Sequence, residues 1–148
     1  MRKTYYKVIV AQTRQSVNSL AGYSQYTSLA LKYPIKEWVK PVLEGSKIFV
    51  FADRRYAYSF VRNCGTSINC NGVFHDLIVV PCYIKNPSKV EVQIPTTGAV
   101  LNRCDFINNF WSAYKKNKKN PKKFFKTMGG ITSAPIGTVF CSEVYCLE

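Results

Sequence analysis

Lys47 to Asn63 reads KIFVFADRRYAYSFVRN, and its two halves follow different periods. The first five residues form a continuous apolar run of β-branched and aromatic side chains, which predicts a buried strand. Asp53 then offers a side-chain oxygen to the free N–H groups that open a helix. From Arg54 to Asn63, Tyr56, Ala57, Phe60 and Val61 recur at helical spacing on one face. Cys64 and Gly65 end the pattern. A strand that runs straight into an amphipathic helix calls for a domain in which a helix covers a sheet.

Upstream, Thr4 to Ala11 (TYYKVIVA) has the composition of a strand, Gln12 to Gly22 that of a loop, and Tyr23 to Tyr33 alternates weakly as another strand would. Pro34 and Pro41 bracket IKEWVK, a short extended piece with Trp38 as its anchor. Downstream, Gly65 to Gly72 (GTSINCNG) is turn material. Leu77 to Ile84 (LIVVPCYI) predicts a strand whose Pro81 points to a sheet edge or a bulge. Asn86-Pro87 makes a turn, and Lys89 to Ile94 (KVEVQI) alternates as a half-buried strand does. Phe106, Ile107, Phe110, Trp111 and Tyr114 mark a second amphipathic helix over Asp105 to Lys116. Gly137 to Cys146 (GTVFCSEVYC) reads as one closing strand. The expected fold is α+β, a single domain over residues 1–148: mostly antiparallel sheet with two amphipathic helices and a basic arm at 115–126.

Charge is unevenly placed. The 148 residues carry 21 Lys and Arg against 8 Asp and Glu, a formal charge of +13, which favours nucleic acid, anionic membrane or acidic protein as partner. Tyr114 to Lys126 (YKKNKKNPKKFFK) alone holds Lys115, Lys116, Lys118, Lys119, Lys122, Lys123 and Lys126, with no acid between them. These lysines, with Phe124, Phe125 and Trp38 as aromatic anchors, are the expected partner-binding residues. As point charges they would bind phosphates or carboxylates without reading sequence. The plainer reading of the same segment is a solvated loop.

Known chemistries find little support. The six cysteines (Cys64, Cys70, Cys82, Cys104, Cys141, Cys146) contain no CxxC pair, and His75 is the only imidazole, so no metal site is expected. The thiols are expected to be reduced and mostly buried, with a late Cys64–Cys70 bridge as the one alternative. His75-Asp76 lacks a placed nucleophile, Glu143 lacks a convincing partner carboxylate among Asp53 and Glu37, and no glycine loop fit for phosphate is present. No catalytic residue and no cofactor are expected. No signal peptide and no apolar run of membrane-spanning length is read from the chain.

Tyr33 to Phe60, KNPSKV (Lys85 to Val90) and APIGTVFCSEV (Ala134 to Val144) resemble small uncharacterised proteins of phages and large DNA viruses. The strand-then-helix order is also similar to part of the ADP-ribosyltransferase scaffold. That second resemblance implies an NAD-gripping Arg2 or Lys7 and a catalytic Glu143, but no matching motif surrounds them. The viral resemblance implies a non-enzymatic, minor capsid component, made in the host cytoplasm and carried in the virion. Its cations would meet acidic coat-protein surfaces. A non-specific nucleic-acid-binding protein using the same cations is the alternative, and a degenerate transferase a further one.

Overall fold

The computed structural model describes residues 2–16, 31–42, 44–64, 67–68, 74–88, 93–95, 111–112, 115–116, 131–133 and 135–148. The strand-to-helix unit forms as its sequence dictates. β3 (Ile48–Phe51) buries Ile48, Val50 and Phe51, and α1 (Arg54–Cys64) follows after a short bend. Asp53 caps the helix, its Oδ1 accepting the backbone N–H of Arg55 at 2.8 Å, and Arg62 lies in the last turn where a cation meets the negative end of the helix dipole.

Five further strands join β3: β1 (Tyr5–Val10), β2 (Trp38–Val39), β6 (Leu77–Lys85), β9 (Thr138–Cys141) and β10 (Glu143–Cys146). They form one six-stranded sheet in the order β2-β10-β6-β1-β3-β9, with every pairing antiparallel. Two small antiparallel pairs form separate sheets: β4 (Ser67–Ile68) with β5 (Phe74–His75), and β7 (Gln93–Pro95) with β8 (Ile131–Ser133).

The sheet order forces the sheet to curl. β9 and β10 are joined by Ser142 alone, yet β9 pairs with β3 and β10 with β6, three strands away in the order. One residue spans only about 3.5 Å, so the two ends of the sheet must meet. They do: Ser142 N–H donates to Lys85 O at 2.9 Å, and Ser88, just past β6, donates to Phe140 O at 2.8 Å. Phe140 N–H in turn donates to Ser88 Oγ at 3.0 Å. The result is a small barrel closed by a kinked strand, which leaves the β9 edge covered.

Residues alternate between the inside and outside of this barrel. Ile9, Ile48, Val50, Val80, Cys82, Cys141, Val144 and Cys146 fill the inside, with Tyr33 packed among them. Outside, α1 lays Ala57, Phe60 and Val61 against Val8, Val10, Phe51, Leu77 and Val79. Each such fully buried apolar side chain contributes roughly 1.5–3 kcal/mol. A second outer patch stacks Phe49 on Phe140, with Trp111 edge-on to Phe140.

Several expectations need correction. GTVFCSEVYC is two strands, because Ser142 is a bulge. Val139 and Cys141 face inward before it and Val144 and Cys146 after it, so the alternation slips by one residue there. β6 is a central strand and not an edge, despite Pro81. Pro81 offers its carbonyl to Leu147 N–H at 2.9 Å, so its nitrogen points the same way, toward the residue just past the end of β10 at Cys146. The donor that the proline lacks therefore falls on the last rung of that ladder. GTSINCNG is not only turn, since Ser67–Ile68 forms β4. Tyr56 is 39% exposed and does not share the buried face of α1. Its ring covers Gly137, where φ is +84° and any Cβ would overlap that ring, so only glycine fits.

One helix is seen among the described residues. The expected second helix, Asp105 to Lys116, lies outside them except for 111–112 and 115–116, whose backbone is helical. The expected strand Tyr23 to Tyr33 likewise falls outside them up to residue 30, while Lys32 bridges Gln15.

Candidate functional site

The outer face of the barrel at β2, β10 and β6 carries a row of three aromatic rings. Trp38 stands opposite Tyr145, and Tyr145 stands opposite Tyr83, so the register alone places one ring on each of three neighbouring strands. Trp38 and Tyr145 lie 5.3 Å apart between centroids with a 49° tilt, and Tyr145 and Tyr83 lie 6.3 Å apart and nearly parallel. All three are half-buried. α1 does not reach them; it packs on β1, β3 and β6 around Val8, Val10 and Leu77.

Cations surround the row. The Arg2 guanidinium lies over both the Trp38 and Tyr83 rings, at 5.8 and 5.6 Å, and Lys85 Nζ is 4.3 Å from the Trp38 centroid. Lys3 and Pro87 complete a shallow groove of about 290 Å³ between these side chains. Glu143, opposite Lys85 in the ladder, accepts from its Nζ at 2.9 Å and meets Lys40 at 3.8 Å. The hydrogen bond from Lys85, then the charges of Lys85 and Lys40, hold the Glu143 carboxyl below its ordinary value. It is a charged clamp on the two lysines, the opposite of the proton-bearing carboxyl that a general acid requires.

The other candidate residues separate by place. Trp38 anchors the aromatic row. Lys115 and Lys116 are exposed, and a Cβ on Gly45 would meet the Lys115 stem at 3.5 Å. That puts the start of the basic arm beside a second cleft of about 400 Å³ bordered by Lys40, Gly45, Lys47 and Glu143. Lys118, Lys119, Lys122, Lys123, Phe124, Phe125 and Lys126 lie outside the described residues. Lys7 and Glu143, proposed partners in a transferase arrangement, are on opposite sides of the barrel wall. Lys7 is buried inside, donating to Phe49 O at 2.7 Å with Nζ 5.1 Å from the Tyr33 ring centroid. The side chain of His75 lies outside what is described. Among the described residues no group of three or more His, Cys, Asp or Glu could hold a metal ion, and no helix is long and apolar enough to cross a membrane.

Lys3, Tyr83, Lys85 and Tyr145 escape sequence reasoning, and Arg2 enters it only through the transferase resemblance. The available signal was parity: in CYIK and EVYC the tyrosines alternate with inward-facing Cys82, Ile84, Val144 and Cys146, which places them outside. No family model, no curated protein and no solved structure matches this chain. Its function must be argued from this geometry.

Proposed function

We propose that this chain is a non-enzymatic binding protein for single-stranded nucleic acid, without sequence preference, and that the face around Trp38 is its contact surface. The observation that carries the reading is the row Trp38–Tyr145–Tyr83 flanked by Arg2, Lys3, Lys40 and Lys85. The rings stand 5.3 and 6.3 Å apart on neighbouring strands, and a π-face accepts any base, so such a row takes successive bases of an unpaired strand. The cations now resting on the rings supply the phosphate contacts. A bound strand exchanges them: phosphate takes the ammonium or guanidinium, and the base takes the ring face. The formal charge of +13 draws the polyanion in.

A second reading keeps the expectation of an assembly component that meets acidic coat-protein surfaces. It is favoured by large apolar side chains left exposed, Ile136 at 78% and Val42 at 63%, which suit a protein partner better than a nucleic acid.

Salt dependence tests the proposal. With four cations engaged on a single strand, log K for an oligothymidine should fall with log salt at a slope of about −3. Arg2→Gln and Lys85→Gln should each flatten it by roughly 0.7. A slope near zero, or one unchanged by both substitutions, would remove nucleic acid from this face and leave the acidic-protein reading.

A further inference from the structure

The inside of the barrel holds three free thiols, Cys82, Cys141 and Cys146, and their arrangement is uneven. Cys82 on β6 and Cys146 on β10 are direct partners in the antiparallel ladder. The bond from Leu147 N–H to Pro81 O joins the residue after Cys146 to the residue before Cys82. That pattern makes Cys82 and Cys146 a pair that exchanges no backbone hydrogen bonds, the closer of the two kinds of opposed pair, with Cα atoms about 4.5 Å apart. A disulfide accepts Cα separations of about 4.4–6.8 Å, so the pair falls inside the permitted range at its short, strained end. Both side chains point to the same face and are almost fully enclosed, at 0% and 1% exposure. Cys141 is differently engaged: it stands opposite Ile48 on β3 and directs its Sγ to Ile48 O at 3.5 Å.

We propose that Cys82 and Cys146 form a cross-strand disulfide when the folded protein meets a small-molecule disulfide such as oxidised glutathione. Cys146 reacts first, because it is the last residue of β10 and strand ends open more readily than the middle of the nine-residue β6. Its thiolate attacks one sulfur of oxidised glutathione, forming a mixed disulfide and expelling one glutathione thiolate. The Cys82 thiolate then attacks Cys146 Sγ, closing the protein bridge and expelling the second glutathione thiolate. The two protons lost by the protein thiols go to the two glutathione thiolates, so two cysteines are oxidised and one small disulfide is reduced. Burial raises the pKa of both cysteines, with Lys7 acting against it, so the exchange is slow and waits on opening of the strand end. A bridge at the short end of the range is also readily reduced, which makes it reversible.

The bridge would fasten the two strands whose next residues, Tyr83 and Tyr145, stand on the opposite face of the wall. It would hold those two rings in register whatever ligand they take.

The test incubates the reduced, folded chain with oxidised glutathione at mildly alkaline pH, followed by peptide mapping and free-thiol titration. The expected result is a Cys82–Cys146 linked peptide with loss of those two thiols, and a Tm higher by roughly 5–10 °C that reverts on adding dithiothreitol. Cys141→Ala should leave the bridge intact, and Cys82→Ala should stop the reaction at a glutathione adduct on Cys146. A bridge to Cys141, a stable glutathione adduct on Cys82 or Cys146 in the native chain, or both of these thiols still free even in urea below the unfolding midpoint would overturn the proposal. If either variant fails to fold, the linked-peptide map of the native chain decides alone.

Discussion

Above about pH 10 the protein should unfold cooperatively under reducing conditions, with the enclosed thiols and Tyr33 ionising only as tertiary structure is lost. The cause is the barrel interior. Burial pushes the thiols of Cys82, Cys141 and Cys146 above their ordinary value of 9.0, Cys141 to about 12, and pushes the Tyr33 hydroxyl above its ordinary 10.0. A group whose folded pKa is raised contributes its full stability below the unfolded value and loses it as pH climbs toward the folded one. Each contributes a slope of about 1.4 kcal/mol per pH unit within that window.

Lys7 works in the other direction. Burial lowers its pKa from 10.5, so from that lowered value up to 10.5 the unfolded chain holds a proton that the folded chain has released, and rising pH adds stability. Between roughly pH 9.5 and 10.5 the raised thiols oppose the one lysine and stability falls. Beyond 10.5 the lysine no longer helps and Tyr33 joins the thiols, so Cys82, Cys141 and Tyr33 together remove roughly 4 kcal/mol per pH unit. Against a total stability of about 5–15 kcal/mol, that fall is enough to unfold the chain. Tyr33→Phe should move the alkaline midpoint upward, and Lys7→Met should remove the opposing slope. Near-ultraviolet circular dichroism unchanged at pH 11.5 would show that these groups are not enclosed as described.

The second large effect concerns the outer face. Trp38→Ala should weaken binding to an oligothymidine by about 10-fold or more, since a stacked base is worth about 1–3 kcal/mol. Tyr83→Ala and Tyr145→Ala should each cost less than Trp38→Ala, and the losses should not add, because Tyr145 neighbours both of the other rings. None of the three belongs to the inner cluster, so urea midpoints should move much less than affinities. Equal losses of stability and affinity would mean that the rings are structural only.

These outcomes also indicate what a sequence of this kind discloses. The Lys47–Asn63 unit was readable because each of its signals is local: the apolar run, the Asp53 cap and the helical period lie within a few residues of what they determine. Pro81 misled because a missing donor costs little on the last rung of a ladder, and that rung is set by the end of β10 at Cys146, far away in sequence. The bulge at Ser142 was visible in principle, since inward-facing Cys141 and Val144 are three apart where a strand requires two. Lys7 lies in an ordinary strand pattern that does not disclose its burial; only the closing of the barrel encloses it. The site was half legible. Trp38 is conspicuous between its prolines, but Tyr83 and Tyr145 become its neighbours solely through strand order. The basic arm drew attention by composition, and of its lysines Lys115 and Lys116 have a described place, beside Gly45.

The claim that bases stack on the Trp38 row is tested most directly by competition between two strands of equal length and charge, an oligothymidine and its abasic counterpart. The account predicts that the abasic strand binds at least about 10-fold more weakly to the native chain, and that Trp38→Ala narrows the difference while leaving abasic binding intact. Equal affinity for both strands in the native chain would contradict it, for the rings would then have no part in recognition and charge alone would hold the ligand.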